Sequence, residues 1–330
     1  MSTPAAAMLE RAFGDRLRRD VPLGPMTTYR VGGPADHYLD VASIDDLARI
    51  AAVRAATGLD VLVIGRGSNM LVADDGFPGL AISLTELAGD VEIGPSEDGV
   101  RIVTAGAGVM LPKLARQLAA AAVTGFEWAV GVPGSIGGAI RMNAGGHGSD
   151  MASSLIDVRV FDLADGTLAT VPATDVGLRF RASSLSPSQV VVDARLRLAD
   201  GDREESEREI AEIVRWRREH QPGGQNCGSV FVNPVPGEVA AGALIDALGL
   251  RGFRIGSAYV SEKHANFIMA SEGGTATDVR AVMEAVRQRV ADATGHRLRS
   301  EVRLVGFDDA DPLSFDEPSG GRPCAAGGAA

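Results

Sequence analysis

The chain has 330 residues, 45% hydrophobic and 23% charged, which excludes a peptide-sized scaffold, a fibre and a wholly disordered chain. Its 43 acidic and 32 basic residues leave a formal charge of −11, a field that repels a nucleic-acid backbone and argues against general nucleic-acid binding. Glycine is in excess, at 41 residues with no Gly-X-Y period, so it must serve turns or backbone that approaches something closely.

At roughly 150 residues per domain the length predicts two or three domains. Glu10 and Arg11 interrupt the first residues before an apolar run can form, so no signal peptide is expected. The longest mostly apolar stretch, residues 118–126, is about half the ~20 residues a membrane helix needs, so no membrane insertion is expected. Cys227 and Cys324 cannot make a disulfide framework, which fits a reducing compartment and a cytoplasmic location.

In chain order, the first helix signal is the capping box at residues 43–46, after which Leu47, Ile50 and Val53 recur at helical spacing until Gly58. Strand-like runs at 38–41 and 61–64 flank it as a β-α-β unit. A strand at 100–105 and an alanine-rich helix opened by Pro112 and running through Ala122 follow the same plan. Between 155 and 197, short alternating runs punctuated by Asp165-Gly166 and Pro187 predict antiparallel strands. A polar segment at 200–207 marks a domain boundary near Asp200 and leads into a helix with Ile210, Ile213 and Val214 on one face. Beyond it lie a strand at 229–232, a helix at 242–248 stopped by Gly249, and a strand at 265–269. A long helix follows, on which Val279, Val282, Met283, Val286 and Val290 keep the period up to Gly295, and then a strand at 298–305. Residues 311–330 read as a disordered tail.

Two glycine-rich stretches stand out. Gly65-Arg66-Gly67-Ser68-Asn69 directly follows a hydrophobic strand and exposes consecutive N–H groups, the makings of an anion nest, but it lacks the third glycine and the helix of a dinucleotide-binding fingerprint. From Gly131 to Gly148 there are seven glycines, more than a hairpin needs and suited to backbone laid against a pyrophosphate. Singly each loop reads as a turn; as a pair they predict a dinucleotide held between two subdomains.

The candidate chemistry is spread thinly. Arg179 and Arg181 fall on one face if their segment is a strand, and an arginine there could grip a carboxylate, although a solvated surface arginine is the default reading. Ser229 follows Gly228 at a strand mouth, without the Gly-x-Ser-x-Gly elbow of a hydrolase, and reads by default as a turn serine. Cys227 reads as a small buried residue. Glu301 lies on the polar face of the last strand, as an acid or as a solvated glutamate. The segment from Ser261 through Lys263, His264 and Asn266 reads as a binding loop or a structural one. The five histidines show no metal-ligand spacing, so no catalytic metal is expected.

Taken in order, seven segments resemble the UDP-N-acetylenolpyruvoylglucosamine reductases: TTYRVGGPA (27–35), IGRGSNML (64–71), GVPGSIGGAIRMNAGG (131–146), FRAS (180–183), CGSVFVNP (227–234), VSEKHANF (260–267) and SEV (300–302). The resemblance spans roughly residues 22–306 and points to the shorter-loop variant of the family. It implies an α+β fold: a vanillyl-alcohol-oxidase-type FAD-binding domain of two subdomains (1–84 and 85–200), then an α+β substrate-binding domain (201–308) and the tail (309–330). It implies non-covalent FAD across Gly65, Arg66, Gly67, Ser68, Asn69, Gly131, Pro133, Gly134, Ser135, Ile136, Gly138 and Asn143. NADPH is the implied co-substrate, reducing FAD and leaving before the enolpyruvyl sugar nucleotide takes hydride and a proton. By the same resemblance Ser229 is the proton donor, Arg181 and Glu301 stabilise the enolate-like intermediate, and Asn233, Lys263, His264 and Asn266 contact substrate. The expected protein is a monomeric enzyme of peptidoglycan precursor synthesis. The rival expectations are a flavin oxidase of the same superfamily and a non-catalytic nucleotide-sugar-binding paralogue. Phe180 stands where many members have tyrosine, Val232 where lysine or arginine is common, and Cys227 where alanine is frequent; the second departure puts one diphosphate contact in doubt.

Overall fold

Residues 3–307 are described by the computed structural model; the tail predicted at 309–330, with Cys324, lies outside the described residues. Helix α1 (Thr3–Phe13) precedes strands β1 (Arg18–Pro22) and β2 (Pro34–Asp40). Helix α2 (Ile44–Thr57) forms where the capping box predicts it: the Asp46 N–H donates to Ser43 Oγ at 3.2 Å, and Gly58 closes the helix at φ +70°. Strands β3 (Val61–Val63), β4 (Met70–Val72) and β5 (Phe77–Ser83) follow. The expected β-α-β unit is interleaved, because β5 lies between β2 and β3 and pairs in parallel with both. Leu80, Ala81 and Ile82 are all fully buried, so β5 carries a continuous apolar run without the alternation that marks a half-exposed strand.

Strands β6 (Val91–Ile93) and β7 (Val100–Gly106) lead into α3 (Leu111–Ala120), with Pro112 in its first turn. Then come β8 (Val123–Thr124), α4 (Ile136–Arg141), β9 (Gly145–Gly146), β10 (Ser149–Asp150), β11 (Leu155–Asp162), β12 (Thr167–Pro172), the single turn α5 (Ala173–Val176) and β13 (Gln189–Asp200). As expected for 155–197, β11, β12 and β13 are antiparallel, in a six-stranded sheet ordered β12-β11-β13-β7-β6 with β8 joining the end of β13.

One continuous core unites these first two units, with Leu39, Ile50 and Leu80 in the same cluster as Val103, Leu114, Ile140 and Leu196. Helix α6 (Arg203–His220) starts at an Asp202 cap but turns its apolar face backward, and Ile210 and Ile213 join this first core against α3. Helix α6 thus packs with the units that precede the boundary expected near Asp200.

The C-terminal unit holds α7 (Ala241–Ala247), β14 (Arg254–Ile255), β15 (Ala258–Val260), β16 (Ile268–Ala270), α8 (Ala276–Thr294) and β17 (Arg303–Val305). The meander β14-β15-β16 lies under α8, on which Val279, Val282, Met283, Val286 and Val290 are fully buried. Two predicted strands are shorter than their alternation suggests. Residues 229–232 contribute only an isolated bridge, Phe231 to Ser300, and of 298–305 only β17 is strand, because its partner is β4 of the first unit, in parallel. Asp74 strengthens that junction by accepting from the N–H groups of Ala276 (2.8 Å) and Thr277 (2.9 Å), capping α8. Tyr29, Val31 and Leu71 of the first unit complete the C-terminal core. Among the described residues, no helix is long and apolar enough to cross a membrane.

Candidate active site

The loop at residues 65–69 leaves β3 and turns into β4. Gly67 takes φ +56°, and a Cβ there would stand 2.5 Å from the Met26 carbonyl oxygen, so a glycine lets the loop lie on the 26–28 segment. The Thr28 N–H donates to the Gly67 carbonyl at 3.2 Å. This seating role of residues 26–28 escaped the sequence reading, although their motif was part of the resemblance. On its other side the loop meets the second glycine cluster: a Cβ on Gly65 would stand 2.4 Å from Ser135 Oγ, and one on Gly134 would stand 3.6 Å from Ser68 Oγ. The two glycine loops therefore face each other. Among the described residues, the N–H groups of Gly65 through Asn69, and those of Ser135 and Gly138, donate to no protein acceptor. A run of unpaired amides on glycine-lined backbone is suited to the oxygens of an anion.

Arg181 sits in a tight turn rather than on a strand. Arg179 and Ala182 exchange both backbone hydrogen bonds, at 2.9 and 3.0 Å, and leave Phe180 and Arg181 as the turn. Arg181 takes φ +55°, a conformation that costs a non-glycine residue on the order of 1 kcal/mol. The expected shared face of Arg179 and Arg181 is thereby lost. Arg179 reaches Ser184 Oγ (3.1 Å), whereas Arg181 donates to the carbonyls of Gly145 (2.9 Å) and Asn143 (3.4 Å).

Arg181 Nε also lies 3.5 Å from Glu301 Oε2, and the glutamate side chain is only 16% exposed. Burial pushes the Glu301 carboxyl up to about 7, against the pull of the Arg181 and Arg299 charges. Arg299, which the alternation of residues 298–305 puts on the same face as Glu301, is the second of these charges. The Glu301 N–H donates to the Val230 carbonyl at 2.8 Å, which brings the backbone next to Ser229 alongside. Ser229 follows Gly228 (φ +86°), is partly exposed, and makes no hydrogen bond to Arg181, Glu301 or any other described residue.

Several other expected site residues use their polar atoms within the fold. Asn143 donates to Asp150 Oδ2 (3.0 Å) and accepts from the Ala152 N–H (3.1 Å), shaping the loop under Arg181. Asn266 is buried, and its amide both accepts from the Phe231 N–H (3.0 Å) and donates to the Phe231 carbonyl (2.8 Å), acting as a strand partner for the segment after Ser229. Asn233 Oδ1 accepts from the Ala241 N–H at 3.0 Å, where α7 begins, and Lys263 Nζ donates to the Arg218 carbonyl near the end of α6. The His264 ring packs on Phe267 at 4.7 Å, and burial, then the Arg251 charge, lowers its pKa. Of the remaining loop residues, Arg66, Pro133 and Gly138 are exposed, and Gly131 and Ile136 are buried. Val232 is buried too, an apolar side chain at the position where a diphosphate contact was in doubt. Burial pushes the Cys227 thiol up to about 12, which agrees with a small buried residue rather than a reactive nucleophile.

Fold and loops define a two-part flavoprotein: the FAD binding domain family matches residues 35–172, and the C-terminal domain of UDP-N-acetylenolpyruvoylglucosamine reductase matches residues 220–305. Reductases of that name from Parasynechococcus marenigrum (42% identical over 297 residues, 89% of this chain and 97% of that one) and Rubrobacter xylanophilus (39% over 300 residues, 90% and 98%) are similar along almost their whole length. The crystal structure of UDP-N-acetylenolpyruvylglucosamine reductase from Thermus caldophilus matches with a TM-score of 0.73 at 34% identity, covering 88% of this chain and 99% of that one. The chain belongs to the UDP-N-acetylenolpyruvoylglucosamine reductase family and is an FAD-dependent oxidoreductase of α+β architecture.

The residues present fit FAD. Seven amides around the two facing glycine segments have no protein partner, matching the charge of a dinucleotide diphosphate; a side chain at Gly65 would intrude where the loops close, and one at Gly67 where the first loop lies on residues 26 and 27. Gly67→Ala is therefore expected to weaken FAD binding at least tenfold, read by flavin fluorescence during reconstitution, because a Cβ at 2.5 Å from a backbone oxygen must displace the loop.

Proposed function

We propose that the protein reduces the enolpyruvyl group of UDP-N-acetylglucosamine enolpyruvate to give UDP-N-acetylmuramate, with NADPH as reductant, in the cytoplasm and in the service of peptidoglycan precursor synthesis. The observation that best supports this is the Arg181–Glu301 pair, 3.5 Å apart and largely buried, in a chain whose two glycine loops face each other. The proposed division of labour gives residues 1–84 and 85–200 to the cofactor and 201–308 chiefly to the substrate.

FAD, when bound, supplies the hydride chemistry that connects NADPH with the substrate double bond. The amides of Gly65 through Asn69, with those of Ser135 and Gly138, take the diphosphate charge. Three of the five N–H donors of Arg181 face Glu301, Gly145 and Asn143, so two remain for a substrate carboxylate. Their charge opposes the negative charge that grows on that carboxylate as the double bond is reduced. With its carboxyl pushed up to about 7, Glu301 is protonated in a large fraction of molecules near neutrality and donates a hydrogen bond to the same developing charge. The Ser229 hydroxyl, free of protein partners, delivers the proton to the α-carbon. A serine is a weak acid in water, but a carbanion next to a carboxylate is a strong enough base to take its proton.

An anaerobic titration followed by the flavin spectrum tests the reading. Purified protein should be yellow, NADPH should bleach it, and the enolpyruvyl sugar nucleotide should restore the colour. Colourless protein that FAD cannot reconstitute would sink the proposal. Reoxidation by air, with indifference to the sugar nucleotide, would replace it with a flavin oxidase.

A further inference from the structure

The loop with the unpaired amides and the strand that presents Glu301 are fastened to each other directly. Asn69 Nδ2 donates to the Glu301 carbonyl at 2.8 Å, between residues 232 positions apart in sequence. The Asn69 carbonyl in turn accepts from the Arg303 N–H at 2.9 Å. The parallel ladder of β4 and β17 continues these two bonds through Met70–Arg303, Leu71–Leu304 and Val72–Val305. On its other side Glu301 is held through its N–H, which donates to the Val230 carbonyl at 2.8 Å. The peptide groups flanking Glu301 are thus gripped from two directions, one by the segment of Ser229 and the other by the first glycine loop.

We propose that Asn69 is a positioning residue for Glu301, its side-chain amide fixing the Glu301 peptide and so the distance at which the carboxyl stands from Arg181. The resemblance implies a cofactor contact for Asn69; its N–H remains available for that, while its side chain acts on the acid. The proposal deepens the reductase reading and rests on it for the role given to Glu301. The carboxyl is balanced between burial and two cations, so its proton affinity is sensitive to small displacements. In a partly buried site, moving one partner of a close ion pair by about 1 Å changes that affinity several-fold.

The test uses FAD-loaded full-length protein with its glutamates labelled at the side-chain carboxyl carbon, the Glu301 signal being assigned by its loss in Glu301→Gln. Wild type should titrate near the raised value, and Asn69→Ala, which keeps the backbone N–H but lacks the donor, should move the inflection by at least half a pH unit. The substrate half-reaction of the variant should slow at least tenfold and lose its wild-type pH profile, with a smaller change in KM for the sugar nucleotide. Flavin content, read separately from absorbance, must be matched before rates are compared. Asn69→Asp, of nearly the same size, is the second variant should Asn69→Ala fail to fold; its carboxylate repels the Glu301 carbonyl when ionised and donates to it when protonated. It should therefore approach wild-type rate as the pH falls. An unchanged Glu301 titration in a flavin-loaded variant overturns the positioning role. Wild type that binds FAD and shows the Glu301 titration but does not turn over the sugar nucleotide overturns the reductase reading instead, and the titrations still decide the role of Asn69.

Discussion

Ser229→Ala should lower overall turnover by about a thousandfold, the scale of a lost, well-placed proton donor, while NADPH bleaches the flavin at close to the wild-type rate. The asymmetry follows from where the hydroxyl stands. Ser229 makes no hydrogen bond to a described residue, so removing its oxygen leaves no buried group unpaired and should change thermal stability little. Val230 and Phe231, next to it, are buried and held by Asn266, so the backbone of the segment should survive the substitution. Stopped-flow absorbance separates the two half-reactions: reduction by NADPH should proceed, and reoxidation by the enolpyruvyl substrate should stall. If both half-reactions run at the wild-type rate, the proton comes from elsewhere.

What the sequence made legible was whatever local pattern controls. Helix α2 was announced by Ser43 and Gly58, and α8 by its valine stripe, because caps and periodicity act within a few turns. The glycine loops were legible as loops, since an excess of residues without side chains has few explanations. That they face each other was not readable from either one, because the contacts of Gly65 with Ser135 and of Gly134 with Ser68 depend on long-range packing. The arginine turn was not legible: Arg181 adopts φ +55° without being a glycine or an asparagine, and no composition rule anticipates strain that the surroundings impose. Asn266 and Lys263 read as binding-loop residues because they are polar and close to a strand. Their hydrogen bonds to Phe231 and Arg218 show how a polar side chain far along the chain can replace a missing backbone partner. The pairing of β4 with β17 lay beyond sequence for the same reason, and on it depends the place of Glu301 beside Asn69.

Glu301→Gln should abolish most activity and, at alkaline pH, make the protein more stable. The carboxyl is raised from 4.5 to about 7 in the fold, so the folded state holds its proton more tightly than the unfolded chain does. The stability linked to that proton is fully present below about 4.5 and is lost as the pH rises through about 7. Above that, keeping an ionised Glu301 buried costs the fold roughly 3 kcal/mol relative to an unperturbed carboxyl. Glutamine has a similar shape and carries no charge, so thermal denaturation at pH 8 should give a higher Tm for the variant, with the difference shrinking towards pH 5. The effect on rate has the opposite sense. If the neutral carboxyl is the working form, wild-type product formation should be level below about pH 7 and fall above it, and the variant should lose that limb along with a hundredfold or more of its rate. Arg181→Met supplies the complementary case: without the cation 3.5 Å away, the Glu301 carboxyl should rise further, so the stability loss, still starting near 4.5, should grow larger and extend to higher pH. A Tm for Glu301→Gln that matches wild type at both pH values would mean that solvent reaches the carboxyl, and the pH limb would then belong to another group.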